Sequence, residues 1–399
     1  MKKKYLLTLM MVLASVVAAW AAPRSEQQAA TIASRFASKV GWGQAPLKQV
    51  ALNGLHKGEK APATGEQKAY YYVFNQTDGK GFVLVAGDDR MPDIIGYSDR
   101  QTFELGNLPP QLADYLAAYR ATVDAADRGD SRTLENLREA AMPAAITAIE
   151  PLLGDITWNQ NTPFNNHCPL MDNGYRCVTG CVPTALAQIM AYYQYPDTLV
   201  NTIPAYSFKM YSEQLETEVT MEAVEAGQPI EWKKMLPTYK GASYSEEEAD
   251  AVASLMALLG KACQVMYGYE SAAGTPISQL VDYFGYDPDL AALVSRSGFS
   301  LDEWRDIMMG ELKAGRPMLL SGHSLGSNPA SLSGHAFVCD GVDANGLFHI
   351  NWGWGGYLNG YFDVTVLNPK GAGIGGSASD DGYDINLAMM IGIARQPCD

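Results

Sequence analysis

The residues of this chain that bear most directly on chemistry are a cysteine and the string around it, Thr179-Gly180-Cys181-Val182-Pro183-Thr184-Ala185-Leu186-Ala187-Gln188-Ile189-Met190. Pro183 suits the first turn of a helix, where its missing N–H is not needed, and Ala185, Leu186, Ile189, Met190 and Tyr193 form one apolar face of that helix. Cys181 is thereby placed at a helix N-terminus. The partial positive charge and free N–H groups there favour an anion, which lowers a thiol pKa and supplies donors for a developing oxyanion. Gly180 leaves room beside it. The chemistry implied is nucleophilic attack on an acyl carbon. A buried structural cysteine is the other reading of the same string.

A thiolate needs a base, and His335 stands in Ser333-Gly334-His335-Ala336-Phe337-Val338-Cys339-Asp340-Gly341, whose alternation suggests a strand. Gly334 would let a substrate backbone pass close by. A lone strand histidine also reads as a hydrogen-bonded structural side chain; the segment that follows changes the odds. After the turn at residues 343–346 comes a second strand, Leu347-Phe348-His349-Ile350, and then Asn351-Trp352-Gly353-Trp354-Gly355-Gly356. Such a hairpin can hold an amide oxygen against the ring N–H of a histidine on the neighbouring strand, fixing its tautomer. Asn351 is the natural orienter and Trp352 a shield from water; otherwise they are a turn residue and a core aromatic. Gln160, in a loop by composition, offers a side-chain amide that would join the Cys181 N–H at the oxyanion, or is simply solvated.

Helices and strands must position these groups. Apolar positions at helical spacing over residues 25–40, behind Ser25 as a cap, predict an opening helix. Residues 70–74 and 81–86 predict a hairpin about Asp78-Gly79, and 110–127 and 131–142 predict two more helices. A small-residue linker at 143–150 separates this unit from a second. There, helices are expected over 183–194, 245–263, 277–284 and 301–314, and strands from 317 to the end. Helices before strands make an α+β architecture rather than a doubly wound sheet.

A chain of 399 residues, 47% hydrophobic and 18% charged, exceeds one ordinary compact domain. Met1-Lys2-Lys3-Lys4, an apolar run over 5–20 too short to span a bilayer, and Ala19-Trp20-Ala21 read as a signal peptide over residues 1–21. A secreted or periplasmic, soluble protein with no membrane anchor is expected. The net charge of −15 argues against nucleic-acid and anionic-membrane partners, which call for basic patches. Six cysteines are unevenly spaced: Cys168, Cys177 and Cys181 cluster, while Cys263, Cys339 and Cys398 are scattered, so a dense disulfide scaffold is not expected.

Together these residues resemble the streptopain/interpain family of papain-like cysteine peptidases, over nearly the whole chain after the leader. The specific parts are Gly180-Cys181-Val182-Pro183-Thr184-Ala185 with Ala187-Gln188-Ile189-Met190, Gly334-His335-Ala336-Phe337-Val338, and Asn351-Trp352-Gly353-Trp354-Gly355-Gly356. The resemblance implies Cys181 as nucleophile, His335 as general base then acid, Gln160 in the oxyanion hole, and Asn351 or Trp352 in the segment facing the imidazole. It implies a two-lobed papain-like domain, helical and antiparallel β, over 148–399. An α+β inhibitory propeptide over 22–147 would precede it, with Phe82-Val83-Leu84-Val85-Ala86 and Ile95-Gly96-Tyr97-Ser98-Asp99 similar to that domain. Residues 267–274, including Ser271 and Ala272, resemble a substrate-lining loop, and 371–376 a glycine-rich loop near the cleft.

The implied enzyme is an endopeptidase acting on proteins or peptides, made as an autoprocessed precursor whose own propeptide inhibits it, with no metal or cofactor. Two departures stand out: Cys168 and Cys177, either a disulfide or two free thiols, and Pro183 where the family often has a small residue. The rival readings are an acyltransferase or amidase on the same fold, and a non-enzymatic zinc module using His167, Cys168, Cys177 and Cys181. The last lacks paired knuckles and leaves His335 and Asn351 unexplained.

Overall fold

In the computed structural model, which describes residues 23–43, 46–51, 68–130, 133, 146–211, 216–268, 271, 273–274, 277–325, 332–363 and 387–396, local signals produce the first elements much as their residue types demand. Ser25 caps α1 (Glu26–Lys39) in a full capping box with Gln28. After the short β1 (Leu47–Gln49), β2 (Tyr71–Gln76) and β3 (Phe82–Ala86) form the expected hairpin, Gly79 taking the positive φ of 78° at its turn. β4 (Ile94–Ser98) follows, and Pro110 opens α2 (Pro110–Asp127). The helix expected over 131–142 falls, but for Thr133, outside the described residues.

In the second unit, α3 (Cys181–Tyr193) is followed by a hairpin of β5 (Tyr206–Tyr211) and β6 (Glu216–Met221), which the sequence reading left out. Capping boxes at Ser245 and Ser300 start α4 (Glu246–Ala262) and, after α5 (Ile277–Phe284) and β7 (Ala292–Ser295), α6 (Leu301–Lys313). The last strands are β8 (Met318–Leu325), β9 (Leu332–Val342), β10 (Phe348–Asn351), β11 (Gly360–Phe362) and β12 (Ala388–Ile391). The separation of helices from strands is therefore incomplete, since β5, β6 and β7 precede α6, yet the fold remains α+β.

The two units share one antiparallel sheet, ordered β1-β2-β3-β4-β11-β10-β9-β8-β12-β7. The seam is the pairing of β4 with β11, Tyr97 opposite Tyr361 and Gly96 opposite Phe362. Gly96 is required there: a Cβ would stand 2.4 Å from the Phe362 ring.

Successive residues of β9 serve opposite faces of this sheet. Ala336 and Val338 pack with Leu186, Ile189 and Met190 of α3 and with Leu255 and Leu259 of α4. Phe337 and Cys339 pack on the other face with Leu112, Tyr115 and Tyr119 of α2 and with Trp304 and Met308 of α6. The first unit thus covers one face of the strand that carries His335. Among the described residues no helix is long and apolar enough to cross a membrane.

Candidate active site

Cys181 is the first residue of α3, and the N-cap Gly180 has φ 92°, a conformation that strains a side-chain-bearing residue. The turn is locked by the Thr184 N–H and Oγ1, which donate to Gly180 O at 3.2 and 2.8 Å. Cys181 is half-buried, and its sulfur faces the backbone N–H of Ala336 on β9. Burial pushes the thiol up, against the pull of the N–H groups of Ala336, Val182 and Cys181 itself. The helix start supplies the donors expected, but in this state desolvation wins and the thiol is raised where the sequence implied lowering.

His335 lies on β9 as expected, with its imidazole directed to the first unit. Nε2 stands 3.6 Å from Oδ2 of Asp114 in α2. Burial pushes the Asp114 carboxyl up to about 6. On either side of Asp114, Gln111 accepts from Trp354 Nε1 at 2.9 Å and the Tyr115 hydroxyl donates to Asp363 O at 3.0 Å. One face of α2 therefore presses on the histidine and the tryptophan segment together.

Asn351 departs from its expected role. Its amide N–H groups donate to Ile156 O at 3.0 Å and to Gln188 Oε1 at 2.9 Å, while Oδ1 accepts from Gly353 N at 3.0 Å. β10 pairs with β9 so that Asn351 sits opposite Val338, three residues beyond His335, and the imidazole is not among its described partners. Trp352 is fully buried, with Nε1 donating to Leu358 O at 2.9 Å and its ring against Phe337 and Phe362. It lies on the face of β9 where α2 packs.

Gln160 is tied to the nucleophile's loop through its backbone carbonyl, which accepts from Thr179 N at 3.2 Å. Ser271 is close as well: Oγ donates to Val178 O at 2.7 Å, and its Cβ would be 3.5 Å from a Cβ on Gly180. Gly334 pairs with His323 across the β8–β9 hairpin. Ala272 and the 371–376 loop lie outside the described residues.

Cys168 and Cys177 are free thiols, and Cys177 Sγ is 3.6 Å from Met210 Sδ. His167 Nε2 is 2.7 Å from Asp250, which draws it to a carboxylate rather than into a cysteine cluster.

Three groups escaped the sequence reading. Asp114 carries no local signal, because only tertiary packing brings α2 to His335. The buried Asp340 takes His349 Nδ1 at 2.6 Å and Leu153 N at 2.9 Å, anchoring the start of the second unit. Gln188 is fully buried on the helix of Cys181 although it lies off that helix's apolar stripe, so periodicity alone leaves it facing solvent and only the packing of Trp158 and Asn351 against it marks it.

Comparison with known proteins agrees with this arrangement. The Peptidase C10 family model matches residues 158–362, and the Spi protease inhibitor model matches residues 21–123. The thiol protease/hemagglutinin PrtT of Porphyromonas gingivalis is 31% identical over 402 residues, covering 98% of this chain; the chain spans 44% of that protein's length. Streptopain of Streptococcus pyogenes is 29% identical over 385 residues, covering 93% of this chain and 92% of the relative. A fragment of prointerpain A from Prevotella intermedia, bearing a cysteine-to-alanine substitution, superposes with a TM-score of 0.63 at 28% identity, covering 83% of this chain and 98% of that one. Active interpain A superposes with a TM-score of 0.51 at 30% identity, covering 62% and 95%. The thiol at a helix start, the strand histidine beside it and the domain laid across that strand thus belong to a cysteine peptidase, and the chain is a member of the Peptidase C10 family with an N-terminal Spi-type inhibitor domain.

Proposed function

We propose that this chain is the exported, latent precursor of an endopeptidase that hydrolyses proteins through a Cys181 thioester, and that it removes its own inhibitory domain. The observation that carries the latency is the contact of Asp114 with His335: a residue of the first unit occupies the base that the thiol needs. Release of α2 removes that carboxyl from the imidazole, which then takes the proton of Cys181. The thiolate then attacks a peptide carbonyl, with Gln160 and the N-terminal N–H of α3 as donors to the oxyanion. Protonated His335 gives its proton to the leaving amine, and water activated by His335 hydrolyses the thioester. Ser271 and Gly334 line the approach of the substrate. Asn351 acts by bracing the helix of Cys181.

The leader over 1–21 supports export. The inhibitory domain is taken to run over 22–147 and the peptidase over 148–399, a division supported by the bridge of Ile149 to Val342. Hydrolysis, rather than acyl transfer to an amine, is supported by the protease names of the relatives.

Cys181→Ala should accumulate as an uncleaved precursor under conditions where the parent chain converts to a form beginning near residue 148. Equal self-conversion of that variant, read by N-terminal sequencing, would sink the proposal.

A further inference from the structure

The geometry points to Gln188 as a positioning residue for the reaction, holding the oxyanion segment and the Asn351 turn in register with the nucleophile. This rests on the roles proposed for Cys181 and Gln160.

Gln188 lies seven residues after Cys181 on α3, close to two full turns, so the two share a face about 10 Å apart along the axis. Its single oxygen Oε1 accepts from Trp158 N at 3.0 Å and from Asn351 Nδ2 at 2.9 Å. The Trp158 donor is a main-chain N–H, so oxygen, not nitrogen, must face it. Trp158 O in turn accepts from Gly355 N at 3.0 Å, and Asn351 closes the circuit on Ile156 O and Gly353 N. One carbonyl thus joins the helix of Cys181, the loop two residues before Gln160, and the glycine-tryptophan turn after β10. Nε2 is buried and has no partner among the described residues. The acceptor is used twice and the donor not at all, so a carboxyl in its place keeps every bond: in either protonation state one oxygen remains to accept. An apolar side chain of similar length keeps the packing and loses both bonds.

The assignment predicts a split between variants of the mature enzyme. Gln188→Met should lower kcat on a peptide substrate roughly 100-fold, the order expected for an ångström-scale misplacement, with KM changed less than about threefold. Gln188→Glu should stay within about tenfold of the parent, and both should show alkylation of Cys181 and unfold within a few degrees of it. Gln188→Asn, which draws the amide back by a methylene, is the second variant should Gln188→Met not fold, and must show the same loss confined to kcat. Parent-like kcat in the shortened or apolar variant, an equal loss in Gln188→Glu, or a loss confined to KM would each overturn the assignment. Activity surviving in Cys181→Ala would instead overturn the reading of the site, and the two failures are separately visible.

Discussion

Asp114 Oδ2 of the inhibitory domain lies 3.6 Å from His335 Nε2 of the peptidase domain, and around that contact the two units share both a sheet and a core. On the proposed reading, latency rests on the partner that this one side chain gives His335.

The Asp114 carboxyl is raised to about 6 by burial, from an ordinary value of 3.8. The docked state therefore favours the protonated acid. Its stabilising contribution is complete below the ordinary aspartate range and is lost as pH rises through about 6. In a Cys181→Ala precursor, the melting temperature relative to a Cys181→Ala, Asp114→Asn double variant should fall as pH rises from about 4 to about 6 and level off above that. A difference independent of pH would remove Asp114 from the account.

The thiol of Cys181 is raised by burial in the precursor. Alkylation by iodoacetamide should be slow near neutral pH and accelerate only above the ordinary thiol range. After removal of residues 22–147 the same cysteine should react at least ten times faster at about pH 7, since a thiolate paired with an imidazolium is the reactive form. Equal rates before and after conversion would contradict a buried, protonated resting state.

At the seam of the sheet, Gly96 leaves no room for a Cβ against the buried Phe362 ring. Gly96→Ala should loosen the docking of β4 on β11 by about 1–3 kcal/mol, the usual cost of overpacking. Self-conversion of the precursor should then begin sooner, followed as the time to half-conversion on a gel. An unchanged time course would show that the seam does not contribute to latency.

Asp340 is fully buried and joins Leu153 N to His349. Asp340→Ala leaves a buried N–H and the imidazole without their acceptor and should cost about 2–4 kcal/mol in denaturant unfolding of the mature enzyme. Asp340→Asn should recover part of that loss, because one amide oxygen can still accept. A cost below about 0.5 kcal/mol for Asp340→Ala would mean that water replaces the carboxylate.

What the residues alone determined is local. Ser25 with Gln28, the Asp78-Gly79 turn between apolar runs, and Pro183 ahead of an apolar stripe each act within a turn or two of chain, and the helices, the hairpin and the place of Cys181 follow from them. The histidine strand was legible for the same reason. What only the tertiary structure decided is which groups meet. Asn351 bonds Gln188 across 163 residues instead of the imidazole, His335 faces Asp114, and β4 continues into β11 so that two expected units share one sheet. No spacing encodes such pairings. They follow from which face of β9 each helix buries, and the burial of α2 against one face and α3 against the other sets the partners of His335 and Cys181.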